Sequence, residues 1–458
     1  MSCFQRRQRS VAALLLAGVL THPASAQTGR SAASRPDVLS LSEARAAALG
    51  IDPAVRAAKE AAAAASARER QAAALPNPNF AYGREQTSRA GQSNAQDIAQ
   101  LEWPLDVAGQ RSARVAAARF RREALESNVA VAMQALDADV IRAYLEAMSA
   151  QHKVALADAA LRTASEAQRV SDERVRAGDE AVYVGRRLRL EAGRYAARRA
   201  EAAAQAHATR ERLALLTGLP VQRIEVPAVT PGDSSGMAFA ELLSAVVGVP
   251  AAALMSPDVP QDSLTTLALR SRGDVRRAQQ DAQAAVAEAR LASRERVPMP
   301  ALSAGYKGEQ VQSGANTRGV SLTGFVAGFS IPLPLLDRRA GATAAASATA
   351  RQSEAQAESV RRRVIREVID ALNSVRGAEA ERALLQPFAG DESRRALRAV
   401  QAAFAEGEIT LTEWLEAVRA WQETEAALLT LTTDIALRRV DLARAVGLPL
   451  FPLTGSSR

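Results

Sequence analysis

Cysteine and histidine are almost absent from the 458-residue chain, which has one cysteine, Cys3, and three histidines. A disulfide needs two cysteines, and zinc sites are built largely from cysteine and histidine. Beyond the N-terminal segment only His152 and His207 occur, far apart in sequence, so we expect no metal site and no cofactor. The chain also lacks the Gly-Lys-Ser/Thr of a phosphate-binding loop and a Ser-His-Asp set on strand-turn-helix elbows. We therefore expect no catalytic residues and no enzyme activity.

Aromatic residues are also scarce, at 4% of the chain, and alanine dominates long tracts. This composition favours extended, closely packed helices over a globular core of large side chains. The formal net charge is +8, but arginine alternates with glutamate and aspartate at helical spacing. No basic run carries interleaved aromatics, so we expect no nucleic acid partner.

Residues 1–26 have the layout of a secretory signal peptide. Arg6, Arg7 and Arg9 precede an apolar stretch, and Ala24-Ser-Ala26 has the small residues of a cleavage site. Cys3 lies inside this segment, so the exported protein would have neither a disulfide nor a lipidated N-terminal cysteine. We expect packing and assembly to stabilise it instead.

The rest of the chain alternates between short strands and long helices. Alternation with a period of two predicts strands at about 79–89 and 95–105, with Trp103 on the apolar side. A helix from Val107 to Ala177 and a return helix to Thr217 follow, and Gly178 marks the turn between them. Trp103 fits an interfacial anchor of a membrane-spanning strand, and it fits a packed aromatic at a strand end equally well.

The second half of the chain repeats the first. Strands are predicted at about 301–311 and 320–333, then a helix from Ala340 to Phe404 with a kink at Pro387, then a return helix from Thr412 to Ala445. Gly407 follows Gly178 by 229 residues, and the Gly-Leu-Pro at 218–220 recurs at 447–449 with the same offset. We divide the chain into a signal peptide (1–26), a first repeat (27–230), a connector (231–262), a second repeat (263–449) and a tail (450–458).

The stretch from Phe404 to Glu416 is predicted to form the tip of the second helical hairpin. Gly407 can end the incoming helix because it lacks a Cβ. Thr410 or Thr412 can cap the outgoing helix, with Glu413 in its first turn, where a carboxylate suits the helix dipole.

Each repeat supplies two strands, so one chain supplies four. Strands of this length with one apolar face fit a transmembrane barrel, and they also fit a surface hairpin on a soluble protein. Four strands cannot close a barrel, and open sheet edges are not tolerated in lipid. If the strands span a membrane, several chains must share one barrel, and the long helices continue away from the membrane as a tube.

The duplicated layout, both Gly-Leu-Pro ends, the prolines at the strand exits and the glycine-and-acid tip together resemble the TolC family of outer-membrane efflux channels. The resemblance covers essentially the whole chain after the signal peptide. It implies a mainly α fold with a small β part, in which three chains form a twelve-stranded outer-membrane barrel above a periplasmic helical tunnel. It also implies a periplasmic membrane-fusion adaptor and an inner-membrane pump as partners.

Within that family, the Leu75-Pro-Asn-Pro78 strand entry and the lack of a lipidated cysteine are most similar to the CzcC-like heavy-metal subgroup. The function implied is a passive exit duct for heavy-metal cations, served by a resistance-nodulation-division pump. A multidrug or type I secretion duct of the same fold is the alternative. A structural periplasmic coiled-coil or adaptor protein without a pore is the alternative of another class.

The resemblance also suggests which residues form the periplasmic aperture. Family members carry acidic residues where this chain has Glu413 and Glu416, so three copies would form a ring of carboxylates that attracts cations. A pair of solvated glutamates at a helix start is the simpler interpretation. The family's aspartate in the first tip is Val184 here, and it is followed by Arg186 and Arg187, which could pair with the glutamates. Gly178, Gly407, Thr410 and Leu411 are the predicted tip and adaptor-contact residues.

Overall fold

The computed structural model describes residues 39–89, 92–220, 259–313, 319–388 and 391–448. The predicted signal peptide, the tail and most of the connector lie outside the described residues. The described part consists of long helices and one small antiparallel sheet. The first half contains α1 (Leu41–Ile51), α2 (Pro53–Ala73), β1 (Asn79–Arg89), β2 (Gln92–Pro104), α3 (Gln110–Ala177) and α4 (Val182–Thr217).

The second half repeats this order. It contains α5 (Gln261–Ser271), α6 (Gly273–Arg294), β3 (Ala301–Ser313), β4 (Val320–Ser330), α7 (Ala340–Leu385), a 3-10 turn (Gln386–Phe388), α8 (Asp391–Glu406) and α9 (Leu411–Val446). The helix predicted from Ala340 to Phe404 is interrupted at Pro387, which lies in the 3-10 turn, because proline cannot continue the α-helical ladder. Several predicted bounds differ from the observed ones: β2 begins at Gln92 rather than 95, β3 ends at Ser313 rather than 311, β4 ends at Ser330 rather than 333, and α3 begins at Gln110 rather than Val107.

The four strands pair in chain order, β1-β2-β3-β4, and every neighbouring pair is antiparallel. The first strand of each repeat leaves the short helices, and the second strand leads into a long helix. The strand ends that lead to helices therefore all lie at one end of the sheet, and the opposite strand ends lie at its other end. Within this chain β1 and β4 have one strand neighbour each, so both are sheet edges.

The helices pack along a seam of apolar residues and alanine. The largest cluster joins the short helices of both repeats to α3, α4, α7 and α9; its members include Tyr144, Leu145, Met148, Leu213, Leu264, Leu372 and Val440. α1 is also tied to α3 by a bidentate ion pair, with Arg45 Nη2 2.6 Å from Asp137 Oδ2. α3 contains 68 residues, which corresponds to about 100 Å at 1.5 Å per residue. The tips thus lie far from the sheet along these helices.

Candidate functional sites at the helix tips and in the sheet

Both hairpin tips end their first helix in the same way. Gly178 and Gly407 have φ values of 87° and 81°, which side chains with a Cβ rarely adopt. The N–H of Asp179 donates to Arg174 O, and the N–H of Glu408 donates to Ala403 O, both at 2.9 Å. Each of these hydrogen bonds links an N–H to the carbonyl five residues earlier, and so satisfies a carbonyl that the helix end would leave without a partner. The backbone geometry therefore accounts for the predicted glycine at each tip.

Thr410, rather than Thr412, caps α9. Its hydroxyl accepts from the Glu413 N–H at 3.3 Å, and the Glu413 carboxylate accepts from the Thr410 N–H at 2.7 Å. This reciprocal pair is a capping box. The Thr410 backbone N–H, and then its hydroxyl, hold the pKa of Glu413 below its usual range. Glu413 is thus ionised and held against the helix end.

The other three carboxylates of the second tip are Glu406, Glu408 and Glu416, and no basic residue lies between Phe404 and Glu416. Glu413 and Glu416 are both exposed. Arg186 and Arg187, on the first turns of α4, are exposed too, and within the described chain neither forms an ion pair. The structure does not bring these arginines to the glutamates inside one chain. A contact between them would have to form between copies.

A compact apolar cluster supports the tips from inside, and we call it the tip core. Its largest members are Tyr195, Phe404, Trp414 and Trp421, and it also contains Val184, Leu188, Leu411, Leu415 and Val418. The rings of Phe404 and Trp414 are 5.5 Å apart. Trp414 and Trp421 are packed in the seam between the helices, where they are 1% and 9% exposed. Leu411, at 9%, faces the tip core and offers little surface to a partner.

Polar contacts that no local sequence pattern indicates join the two hairpins. Arg174 Nη1, near the end of α3, donates to the carbonyl oxygen of Phe404 at 3.2 Å, close to the end of α8. Glu191 on α4 is buried and accepts from Arg419 on α9 at 3.2 Å and from Arg194 at 2.8 Å. These partners are more than 200 residues apart in sequence, except Arg194, so no local pattern could pair them. Together they hold the second tip against the first.

The sheet has two chemically different faces. Residues that pair directly across strands share a face, and alternate residues along a strand share it too. The face that contains Trp103, 45% exposed, carries large exposed side chains from every strand. We call it the apolar face; its large members are Phe80, Tyr82, Leu101, Trp103, Leu302, Tyr306, Phe325 and Phe329.

The opposite face, which we call the polar face, is built differently. The central strands give it Gln96, Gln100 and Glu102 from β2, and Lys307 and Glu309 from β3, while β4 contributes aliphatic residues such as Leu322. Side chains bond across the strands here, for example Asn94 Nδ2 to Glu309 Oε1 at 3.0 Å. One sheet thus separates an aromatic, apolar surface from a hydrogen-bonding one.

Among the described residues, no set of three or more His, Cys, Asp or Glu side chains is placed to hold a metal ion. In the same part of the chain, no helix combines the length and the apolarity needed to cross a membrane.

Comparison with known proteins gives one family match. Residues 264–448, which form most of the second repeat, match the family model for outer membrane efflux protein. A search of the curated proteins gave no match.

The fold is similar to that of several solved outer-membrane channels. The chain superposes on the outer-membrane channel OprN with a TM-score of 0.69 at 19% identity, covering 90% of each chain. The channel CusC gives 0.68 at 19% identity, covering 89% of this chain and 92% of that one. The outer membrane protein VceC of Vibrio cholerae gives 0.66 at 18% identity, covering 90% of this chain and 97% of that one. The predicted fold class, long duplicated helical hairpins with a small antiparallel sheet, is confirmed.

Proposed function

We propose that this chain, whose second repeat matches the outer membrane efflux proteins and whose fold is that of outer-membrane efflux channels, is itself such a channel. It would act as the passive outer-membrane exit duct of a tripartite efflux system, with its helical body in the periplasm. The matching family and the similar structures are channels rather than enzymes. Energy for transport would therefore come from a partner.

One observation carries the proposal: a four-stranded sheet with an apolar outer face and two open edges joins long helical hairpins. Open edges would leave backbone N–H and C=O groups without partners in lipid, at several kcal/mol per group. Pairing β4 of one copy with β1 of the next removes every edge when the ring closes. Three copies would give twelve strands, so we propose a homotrimer in outer-membrane lipid.

The proposed assembly can be tested on protein purified in detergent. We expect a mass three times that of the chain, excluding bound detergent, and stable single-channel currents after insertion into planar bilayers. A monomer that stays folded in detergent-free buffer would contradict the proposal. That result would favour the alternative of a periplasmic coiled-coil or adaptor protein without a pore.

A periplasmic adaptor and an inner-membrane pump are the partners we propose, with contact at the tips. The surface available there includes Tyr183, which is 67% exposed and follows Gly178 by five residues, and the exposed glutamates of the second tip. Cross-linking from a cysteine placed at Tyr183 should capture an adaptor in cells, whereas a cysteine at the buried Val418 should not. The native chain has no competing cysteine after Cys3.

We also propose a narrower substrate class, heavy-metal cations moved with a resistance-nodulation-division pump. The segment from Phe404 to Glu416 supports it, because it contains four carboxylates and no basic residue of its own, and a ring of such charges attracts cations. Deletion of the channel should lower survival on divalent heavy metals more than survival on organic toxicants. The reverse order would favour a multidrug duct of the same fold.

A further inference from the structure

The apolar face of the sheet is not apolar along its whole length. Its eight large apolar and aromatic residues all lie in the half of the sheet next to the helices. On β4, for example, Phe325 and Phe329 are 88% and 64% exposed, whereas Thr323 and Ser321 follow toward the hairpin end. The distal half of this face has polar or small side chains from all strands: Arg84, Gln86, Ser88, Ser93, Ala95, Asp97, Gly308, Gln310, Gln312, Ser321 and Thr323.

The apolar band is short for a membrane. On β4 it extends from Phe325 to Phe329, four residue steps, or about 14 Å at about 3.4 Å per residue. Outer-membrane barrels carry an apolar band about 25 Å tall, bounded by aromatic residues on both sides. The described strands have 11 to 13 residues each, so strand length does not limit the band. Side-chain chemistry limits it.

Further exposed apolar residues, which could extend the band, lie on the helix side of the sheet. The segment Ile331–Leu336, which leads from β4 toward α7, has the sequence Ile-Pro-Leu-Pro-Leu-Leu, and every residue in it is exposed. Leu333, Leu335 and Leu336 are 69%, 73% and 102% exposed. We call it the exit segment. Soluble surfaces rarely present so many contiguous exposed leucines unless another apolar phase covers them.

We propose, on the basis of the channel function above, that the hydrocarbon layer covers the exit segment and only the helix-side half of the sheet. The distal half of the strands then projects beyond the hydrocarbon into the hydrated saccharide layer of outer-leaflet glycolipids. Trp103 and Phe329 lie inside the band near its helix-side limit, and Tyr306 and Phe325 mark its distal limit, where amphipathic rings favour the boundary with water.

The chemistry of the distal half fits hydrated sugar better than acyl chains or anionic phosphate. Its side chains there are mostly amides and hydroxyls, which can donate to and accept from sugar hydroxyl groups. Its two charges offset each other, since Arg84 Nη1 lies 3.8 Å from Asp97 Oδ1, and the Tyr82 hydroxyl also donates to Asp97 at 2.8 Å. A face without net charge has no preference for phosphate.

Single-cysteine spin labels can locate both boundaries, because replacing Cys3 with Ser leaves a chain without native cysteine. The labelled variants are Phe325→Cys in the band, Ser321→Cys in the distal half, Leu335→Cys in the exit segment and Val326→Cys on the polar face. Each label is exposed to oxygen, which partitions into hydrocarbon, and to a water-soluble nickel chelate. The protein is reconstituted in phospholipid vesicles with or without lipopolysaccharide.

We expect oxygen to relax the labels at 325 and 335 several-fold more than nickel does, and nickel to dominate at 321 and at 326. Lipopolysaccharide should reduce nickel access at 321 and leave 325 unchanged. Oxygen dominance at 321 would overturn the proposed boundary while leaving the channel intact. A label at 335 shielded from both reagents would indicate a neighbouring copy over the exit segment and would also overturn it. Nickel dominance at 325 and 335 together would instead refute insertion, and with it the channel function.

Discussion

At the residue scale, Gly178 and Gly407 share a backbone conformation and differ in what surrounds them. A Cβ on Gly178 would meet no atom within 4 Å, whereas a Cβ on Gly407 would lie 2.2 Å from Arg174 Nη2. We expect Gly178→Ala to lower the stability of this helix end by about 1–2 kcal/mol, because the alanine must adopt the left-handed conformation and meets no other atom. Gly407→Ala should cost about 1 kcal/mol more, because Arg174 must release the carbonyl of Phe404. Hydrogen exchange of the last turn of α3 in Gly178→Ala and of the last turn of α8 in Gly407→Ala measures the difference, and equal losses in the two variants would contradict it.

The cap of α9 gives a second residue-scale prediction. Thr410→Ala removes the hydroxyl that accepts from the Glu413 N–H, and we expect the first turn of α9 to lose about 1 kcal/mol of protection against hydrogen exchange. Thr412→Ala is the matched control, since Thr412 is exposed and lies inside the same first turn. Loss of protection in the Thr412 variant alone would show that the cap is assigned to the wrong threonine.

His152 predicts a pH dependence of stability. Burial lowers its pKa from 6.5 to about 4, so the folded chain keeps the imidazole neutral where the unfolded chain protonates it. Stability is therefore unaffected above pH 6.5 and falls as the pH drops from 6.5 toward 4, by at most about 3 kcal/mol. In His152→Gln the loss over this window should be smaller, as measured by chemical denaturation at each pH. Parallel profiles for the two proteins would contradict the assignment.

At the scale of elements, the position of Gly305 controls how β2 and β3 approach each other. A Cβ there would lie 2.3 Å from the carbonyl oxygen of Ala99 and 2.8 Å from Gln100 Cα, and neither backbone atom can move without breaking the ladder. We expect Gly305→Ala to reduce the yield of folded, assembled protein severely. Gly324→Ala is the control, because a Cβ there meets nothing within 4 Å. Equal yields by gel mobility without heating would exclude this role for Gly305.

The elements also show what the sequence could and could not reveal. Strand alternation, the glycine turns and the effect of Pro387 depend on local chemistry, so they could be predicted, and the register confirmed that Trp103 lies on the apolar face. The apolar character of Ile331 and Leu333 favours a longer fourth strand, but Pro332 and Pro334 lack the N–H that continued pairing requires. The contacts of Arg174 and Glu191 join distant segments, and only the packing of the two hairpins could reveal them.

At the scale of the whole molecule, the acidic second tip is the proposed periplasmic aperture, and its two candidate glutamates have different surroundings. The Glu413 carboxylate accepts from Thr410, whereas among the described residues no side-chain partner is found for Glu416. In a trimer, three copies of Glu416 would lie around the axis with carboxylates free to attract a passing cation. The carboxylate of Glu413 would instead remain bonded to Thr410 at the helix cap. The two functions can therefore be separated by single substitutions.

We expect Glu416→Gln to weaken block of the channel by divalent cations in planar bilayers, because it removes one negative charge per copy from the aperture. Hydrogen exchange in the first turn of α9 should stay unchanged in this variant. Glu413→Gln should change both readouts, since the neutral amide is a poorer partner for the Thr410 N–H.

Arg186→Gln and Arg187→Gln test the proposed contact between copies. If these arginines pair with the glutamates of a neighbouring copy and narrow the aperture, resting conductance rises in both variants. Unchanged block in Glu416→Gln would remove this residue from the aperture, and unchanged conductance in the arginine variants would show that they do not pair with the glutamates of another copy.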